Sequence, residues 1–173
     1  METLKTMALR KSVRAYKDEQ VSEEKLETIL ATGCAAPVGM ARYDSLHLTV
    51  IQDKEIIKKI STSIMQMMKR ENDPLYGAGT LILVSSQEMP VPGIDYTNAS
   101  CVMENMLLTG ADLGIGSVIV WGIALAVEAD ENLKEALSIP EGFKPLIGAC
   151  FGYAVDTEAK EKELTVRIQS NRV

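Results

Sequence analysis

Five consecutive residues near the start of the chain, Arg10-Lys11-Ser12-Val13-Arg14, hold three fixed cations and a hydroxyl. An arginine offers a planar fork of N–H donors that fits phosphate oxygens, a lysine adds a point charge, and a serine adds a short donor. The set suits a small phosphorylated ligand. A solvated basic turn has the same composition, and charge runs usually lie on the surface, so the stretch needs support from the rest of the chain. Other residues suited to chemistry are sparse. His47, the only histidine, sits in an apolar run with no partner nearby and reads as structural or interfacial, since a catalytic histidine needs an orienting group. Cys34, Cys101 and Cys150 are far apart with no C-x-x-C, so neither a disulfide framework nor a metal site is expected. Reduced thiols in a cytoplasm fit best. Trp121 and Met103, taken alone, read as packing residues.

Several familiar signatures are absent. Gly114-x-Gly116 would need a third glycine where Ile119 stands, so the dinucleotide fingerprint fails. There is no G-x-x-x-x-G-K-[ST] and no G-x-S-x-G, which leaves Ser12 and Ser117 poor nucleophile candidates. A net charge of -6 and a pI near 4.9 argue against a general nucleic-acid binder. No apolar run reaches the ~18 residues of a membrane span, and the opening Met1-Glu2-Thr3-Leu4-Lys5 does not read as a secretory signal. The 173 residues, 46% of them apolar, suit a single domain over 1–173 with a real core.

The elements that must position the basic stretch follow from periodicity. Leu4, Met7 and Ala8 share a helical face. Ser22 is placed to cap a helix carrying Leu26, Ile29 and Leu30, with Gly33 as its stop. Leu46 to Ile51 reads as a strand. Asp53 caps a long helix with Ile56, Ile60 and Ile64 on one face, and Thr80 to Val84 reads as a strand buried on both sides. From about Asp95 to Leu113 runs the longest helical pattern, with an apolar face wide enough for a central helix and for a second subunit. Val118 to Trp121 reads as extended. Asp130 caps a short helix to Ser138, and Pro145 to Tyr153 is a further buried strand. Leu164 to Ile168 is placed to add an edge strand or cross to a partner. The sum is a mixed α+β layered sheet.

In chain order come Arg10-Lys11-Ser12-Val13-Arg14, the small-residue loop Ala35-Ala36-Pro37-Val38-Gly39-Met40, Gly114-Ile115-Gly116-Ser117, and Pro145-Leu146-Ile147-Gly148 before Gly152-Tyr153. This ordered set resembles the nitroreductase-like family of small FMN-dependent oxidoreductases. The opening is similar to the family's R-R-S-[IV]-R and the glycine–serine segment to its G-L-G-S. The resemblance runs from Arg10 to about Tyr153.

The resemblance implies an α+β fold with a nitroreductase-like mixed central sheet flanked by helices. It implies an intertwined homodimer with FMN at the subunit interface, and a C-terminal tail of about 156–173 exchanged with the partner. Arg10, Lys11 and Ser12 would bind the FMN phosphate and ribityl chain, and Arg14 the phosphate or the pyrimidine edge of the flavin. Pro37, Val38, Gly39 and Met40 would come from the other subunit to cover the flavin. Main-chain amides of Val120, Trp121 and Gly122 would meet the polar edge of its ring. Lys160, Lys162, Arg167 and Arg172 compete to be the late basic residue at the phosphate; Arg167 is carried forward.

NAD(P)H, as co-substrate, would give a hydride to flavin N5 and leave. A nitro-aromatic, quinone or similar small acceptor would then take two electrons, so that the flavin rather than a side chain carries the chemistry. A flavin-binding protein with a different redox reaction, or a carrier or sensor, is the alternative. The chain departs from the family in three places. Lys11 replaces the commoner second arginine, Pro37-Val38-Gly39-Met40-Ala41-Arg42 replaces P-S-x-x-N, and the insertion that lines the pocket in larger members is missing.

Overall fold

A computed structural model describes residues 2–158 and 160–173. Its elements are α1 (Thr3–Leu9), α2 (Glu23–Cys34), β1 (Leu46–Ile51), α3 (Lys54–Met68), β2 (Thr80–Ser86), α4 (Ile94–Asp112), β3 (Gly116–Ile119), α5 (Trp121–Glu128), α6 (Glu131–Ala136) and β4 (Lys144–Gly152). The strands form one sheet in the order β1-β2-β4-β3. All three ladders are antiparallel, and the one parallel pairing among the described residues is an isolated bridge between Ser12 and Ser117.

Helices cover both faces of the sheet. Side chains alternate across a strand, so Leu81 and Leu83 of β2 join Ile60 and Ile64 of α3 and Ile123 and Val127 of α5 in one core cluster. Ile82 and Val84 join Ile29 of α2 and Met103 and Met106 of α4 in the other. Every residue of β2 is therefore buried, which accounts for the unbroken apolar run Leu81-Ile82-Leu83-Val84 at its centre.

Two caps form as their sequences predict. The Asp53 carboxylate accepts the Glu55 and Ile56 amides at 2.9 Å each, and Asp130 accepts those of Asn132 and Leu133. Such a cap stabilises a helix by about 1 kcal/mol. Ser22 occupies the cap position of α2 without making the side-chain bond.

Other expectations need correction. Gly33 does not stop α2, which runs on to Cys34. A Cβ at Gly33 would lie 2.8 Å from Met106 Cγ, so the glycine permits close packing of α2 on α4. The wide apolar face of α4 is consumed inside the subunit, by α2 and the sheet, and not by a second chain. On α1 the face carrying Leu4 and Met7 points outward, while Thr6 and Ala8 are buried. The extended reading of 118–121 holds through Val120, whose backbone is extended although strand β3 ends at Ile119. Trp121 opens α5, whose sequence is apolar on nearly every side and so shows no helical period. Leu164 to Ile168 forms no strand within the chain.

Candidate functional site

The basic stretch leaves α1 at Arg10 and runs extended beside β3. Val13 turns inward, and its amide donates to the Ser117 carbonyl at 3.0 Å. Gly116 makes room, since a Cβ there would lie 2.7 Å from Val13 Cγ2. With Val13 buried, alternation sends Ser12 and Arg14 outward, and both are exposed. Beyond Arg14, Tyr16 is buried with no hydrogen-bond partner for its hydroxyl among the described residues. Burial, then the nearby Cys150 and Tyr76, push its phenol up against a smaller opposing pull from Arg14.

Arg10 meets two sets of charges. Its Nε lies 4.0 Å from Oε1 of Glu104 on α4. The tail folds back beside it, with the Lys162 amide donating to the Ala8 carbonyl at 2.9 Å. Burial, then the charges of Arg10 and Arg167, hold the Lys162 ammonium below the ordinary lysine range, with Glu104 pulling the other way. The Lys162 backbone is thus tied to the end of α1, and the charges of Arg10, Glu104 and Arg167 all act on its ammonium. An anion placed here would offset the repulsion that these like charges exert on Lys162. A cavity of about 360 Å³ opens alongside, lined in part by Arg10, Lys11, Val13, Ser117, Tyr153 and Thr157.

The second pole of the site is aromatic. The rings of Tyr96 and Trp121 stack with centroids 6.3 Å apart and planes 9° from parallel. The two side chains remain 42% and 50% exposed, so the sequence reading of Trp121 as simple packing is incomplete. Tyr96, Ser100 and Glu104 are exposed at i, i+4 and i+8 on α4, forming one stripe. That stripe rises about 12 Å from the aromatic pair to Arg10's partner. The path from Ser117 to Trp121 gives a similar span, at most about 13 Å when fully extended.

Trp121 is set by close packing on both sides of α5. A Cβ at Gly122 would lie 2.8 Å from Ile64, and one at Gly148 would lie 2.6 Å from Ile123. The Val120 amide is committed to the Gly148 carbonyl at 2.9 Å, which corrects the expectation that it meets a ligand. The first-turn amides of Trp121 and Gly122 have no acceptor within the helix.

Pro37, Val38, Gly39 and Met40 lie elsewhere. The Gly39 amide donates to Oδ1 of Asn98 at 2.8 Å, and a Cβ at Gly39 would lie 2.5 Å from Ile94. Ile94 and Asn98 are one turn apart, on the side of α4 roughly opposite Tyr96. One chain therefore does not bring this loop to the Arg10–Trp121 face. Met40 and Ala41 both have positive φ, 61° and 53°, a conformation that costs non-glycine residues about 1 kcal/mol each.

Of the residues expected at the site, Ser12, Arg14 and Trp121 are exposed and Arg10 is half-buried, Gly122 is buried against Ile64, and Arg167 is placed only by its charge acting on Lys162. Lys11 is adjacent but engaged with the tail. Sequence reasoning missed Glu104 and Tyr96, although their spacing with Ser100 along the flank of the apolar face of α4 was a usable signal. Among the described residues no group of three or more His, Cys, Asp or Glu could hold a metal ion, and no helix is long and apolar enough to cross a membrane.

Comparison with known proteins gives a consistent result. A protein of Archaeoglobus fulgidus that bears the provisional name NADH dehydrogenase/NAD(P)H nitroreductase is 32% identical over 158 residues, spanning 90% of this chain and 87% of that one. A Bacillus subtilis protein named FMN reductase [NAD(P)H] is 26% identical, spanning 94% of this chain and 70% of that one. Among solved structures, a nitroreductase with bound FMN from Bacteroides fragilis superposes with a TM-score of 0.83 at 27% identity, covering 100% of this chain and 98% of that one. Another with bound FMN, from Desulfitobacterium hafniense, shares the fold with a TM-score of 0.85 at 24% identity, covering 99% of each chain. The sequence profile of the nitroreductase family matches residues 7–79 and 69–153, and the chain belongs to that family.

Proposed function

We propose that the protein is an FMN-dependent NAD(P)H oxidoreductase that reduces nitro-aromatics, quinones or similar small acceptors. The observation that carries this reading is the two-ended surface: Arg10, paired with Glu104, and Lys162, tied to Ala8, at one end, the Tyr96–Trp121 stack about 12 Å away at the other. A ligand with a phosphate at one end and a flat ring at the other suits that pattern. The residues present fit FMN. Arg10, Lys162 and Arg167 would hold its phosphate through charge-assisted bonds, with Ser12 beside them, Arg14 further along, and the first-turn amides of Trp121 and Gly122 serving the polar ring edge. When bound, the flavin supplies the group that accepts a hydride from NAD(P)H and passes two electrons to a second substrate. The chain's own task is to fix the phosphate, set the charge around the ring and shield one side of it.

What one chain leaves undone supports a homodimer. Leu4 and Met7 on α1 and Leu164, Val166 and Ile168 in the tail are apolar and exposed, and such surface is normally covered. A second copy would cover it, and its Pro37–Met40 loop would reach the open side of the site. The strained Met40–Ala41 backbone suits a loop shaped for contact.

The decisive experiment is a visible spectrum of the purified protein, followed by anaerobic addition of NADH or NADPH. A yellow protein that either nicotinamide bleaches, and that a quinone or nitro-aromatic recolours, is expected. A colourless protein that cannot be reconstituted with FMN would overturn the flavin reading. A yellow protein bleached by neither nicotinamide would leave a flavoprotein with a different redox reaction, or a carrier or sensor. Light scattering at micromolar concentration should give twice the mass of the chain.

A further inference from the structure

Lys11 belongs to the basic stretch by sequence but is occupied elsewhere. Its Nζ donates to the Glu158 carbonyl at 2.7 Å and lies 3.8 Å from Oδ2 of Asp156. The same Asp156 accepts the Glu158 amide at 2.9 Å through its other oxygen, closing a tight turn. One residue earlier, the Val155 amide donates to the Ala15 carbonyl at 3.1 Å. Four residues after Glu158, the Lys162 amide donates to the Ala8 carbonyl. The start of the tail is thus laced to residues 8–15 at three points, and Lys11 is the side chain among the ties. A compact ammonium with three donors can serve a carbonyl and a carboxylate together. With its charge already answered by Asp156, it adds little net field at Arg10.

We propose that Lys11 is a positioning residue: it fastens the 156–158 turn, and through that turn it sets Lys162 beside Arg10, so that the anion site is complete only when the tail is latched. The proposal deepens the FMN reading and rests on it for the identity of the anion. The latch itself is independent of that identity.

Two variants, Lys11→Met and Asp156→Asn, separate this from direct phosphate contact. Two readouts are used: amide hydrogen exchange at Lys162 in the FMN-free protein, and FMN affinity by fluorescence titration. If Lys11 acts as a latch, each variant speeds exchange at Lys162 and weakens FMN about fivefold, the scale of an exposed ion pair. The double variant is then no worse than either single one. Lys11→Arg keeps most of the effect of the native residue. If Lys11 instead meets the phosphate, Asp156→Asn frees it, and FMN binds as well or more tightly while Lys162 exchange stays unchanged. That result overturns the proposal. A protein that binds no FMN would refute the cofactor reading, and the exchange data would still decide on the latch: unchanged exchange at Lys162 in both variants refutes it.

Discussion

Ser12 and Ser117 face each other across a parallel bridge, and the Val13 amide donates to the Ser117 carbonyl. This pairing joins the basic stretch to β3. Since β3 leads within two residues of its end to Trp121, one strand sets the distance between the cationic and aromatic poles. The poles are fixed relative to each other even though Arg10 and Trp121 are far apart in sequence.

Gly116→Ala tests that link. The added methyl would stand 2.7 Å from Val13 Cγ2, and Val13 is buried in the core beneath, so it cannot move freely. Overpacking of this kind costs about 1–3 kcal/mol. The variant should melt several degrees lower and lose FMN affinity together, because the bridge that aligns Ser12 is pushed apart. Thermal denaturation and FMN titration on the same preparation check this. Lowered stability with unchanged affinity would mean that the bridge does not position the site.

Arg10→Ala should weaken FMN by roughly 2 kcal/mol, about thirtyfold, through loss of a charge-assisted phosphate contact. Arg10→Lys should fall between, keeping the charge and losing the fork. Neither should alter the melting temperature of the FMN-free protein much, since Arg10's only ion pair among the described residues is a long one to the exposed Glu104. Affinity unchanged in both variants would remove Arg10 from the phosphate site.

Much of this was legible in the sequence. The unbroken apolar run of β2, the Ile60–Ile64 stripe of α3 and the Asp53 and Asp130 caps are local patterns, and each formed. Helix α5 was not legible, because its exposed side carries the apolar Trp121 and Leu125, which erases the polar–apolar period that marks a helix. Gly33 was read as a stop because its real partner, Met106, is distant in sequence. The site divides in the same way. Arg10 declares itself within a five-residue pattern. Lys162 matters only because the tail turns back to Ala8, and Lys11 changes role only because Asp156 and Glu158 arrive from the far end of the chain.

Trp121 provides a built-in reporter, being the only tryptophan. It is half exposed and stacked on Tyr96. A flavin ring bound at this pole would quench its emission through close contact and energy transfer. Titrating FMN into the FMN-free protein should therefore reduce tryptophan fluorescence strongly and saturably. Trp121→Phe should bind FMN with similar affinity by flavin fluorescence, since a ring is kept against Tyr96. Trp121→Ala should bind more weakly. Saturable FMN binding with no change in tryptophan emission would place the flavin ring away from α5.

The last prediction concerns pH. In the free protein Lys162 is held below the ordinary lysine range, by burial and then by Arg10 and Arg167. A phosphate dianion placed among these cations reverses the charge effect, because an opposite charge nearby favours the protonated ammonium. The bound form therefore holds its proton to higher pH than the free form. By linkage, affinity is full below the free-protein value and is lost as pH rises through it, with uptake of a proton on binding in that window. Arginines stay charged throughout, so Lys162 is the member of the cluster that titrates. FMN affinity measured from about pH 7 to about pH 10 should be level at first and then fall before the usual lysine range is reached. Titration calorimetry in buffers of different ionisation enthalpy should detect the proton taken up. Lys162→Met should bind more weakly at neutral pH and lose the downward break. A native profile flat to about pH 10 would mean that Lys162 does not face the phosphate.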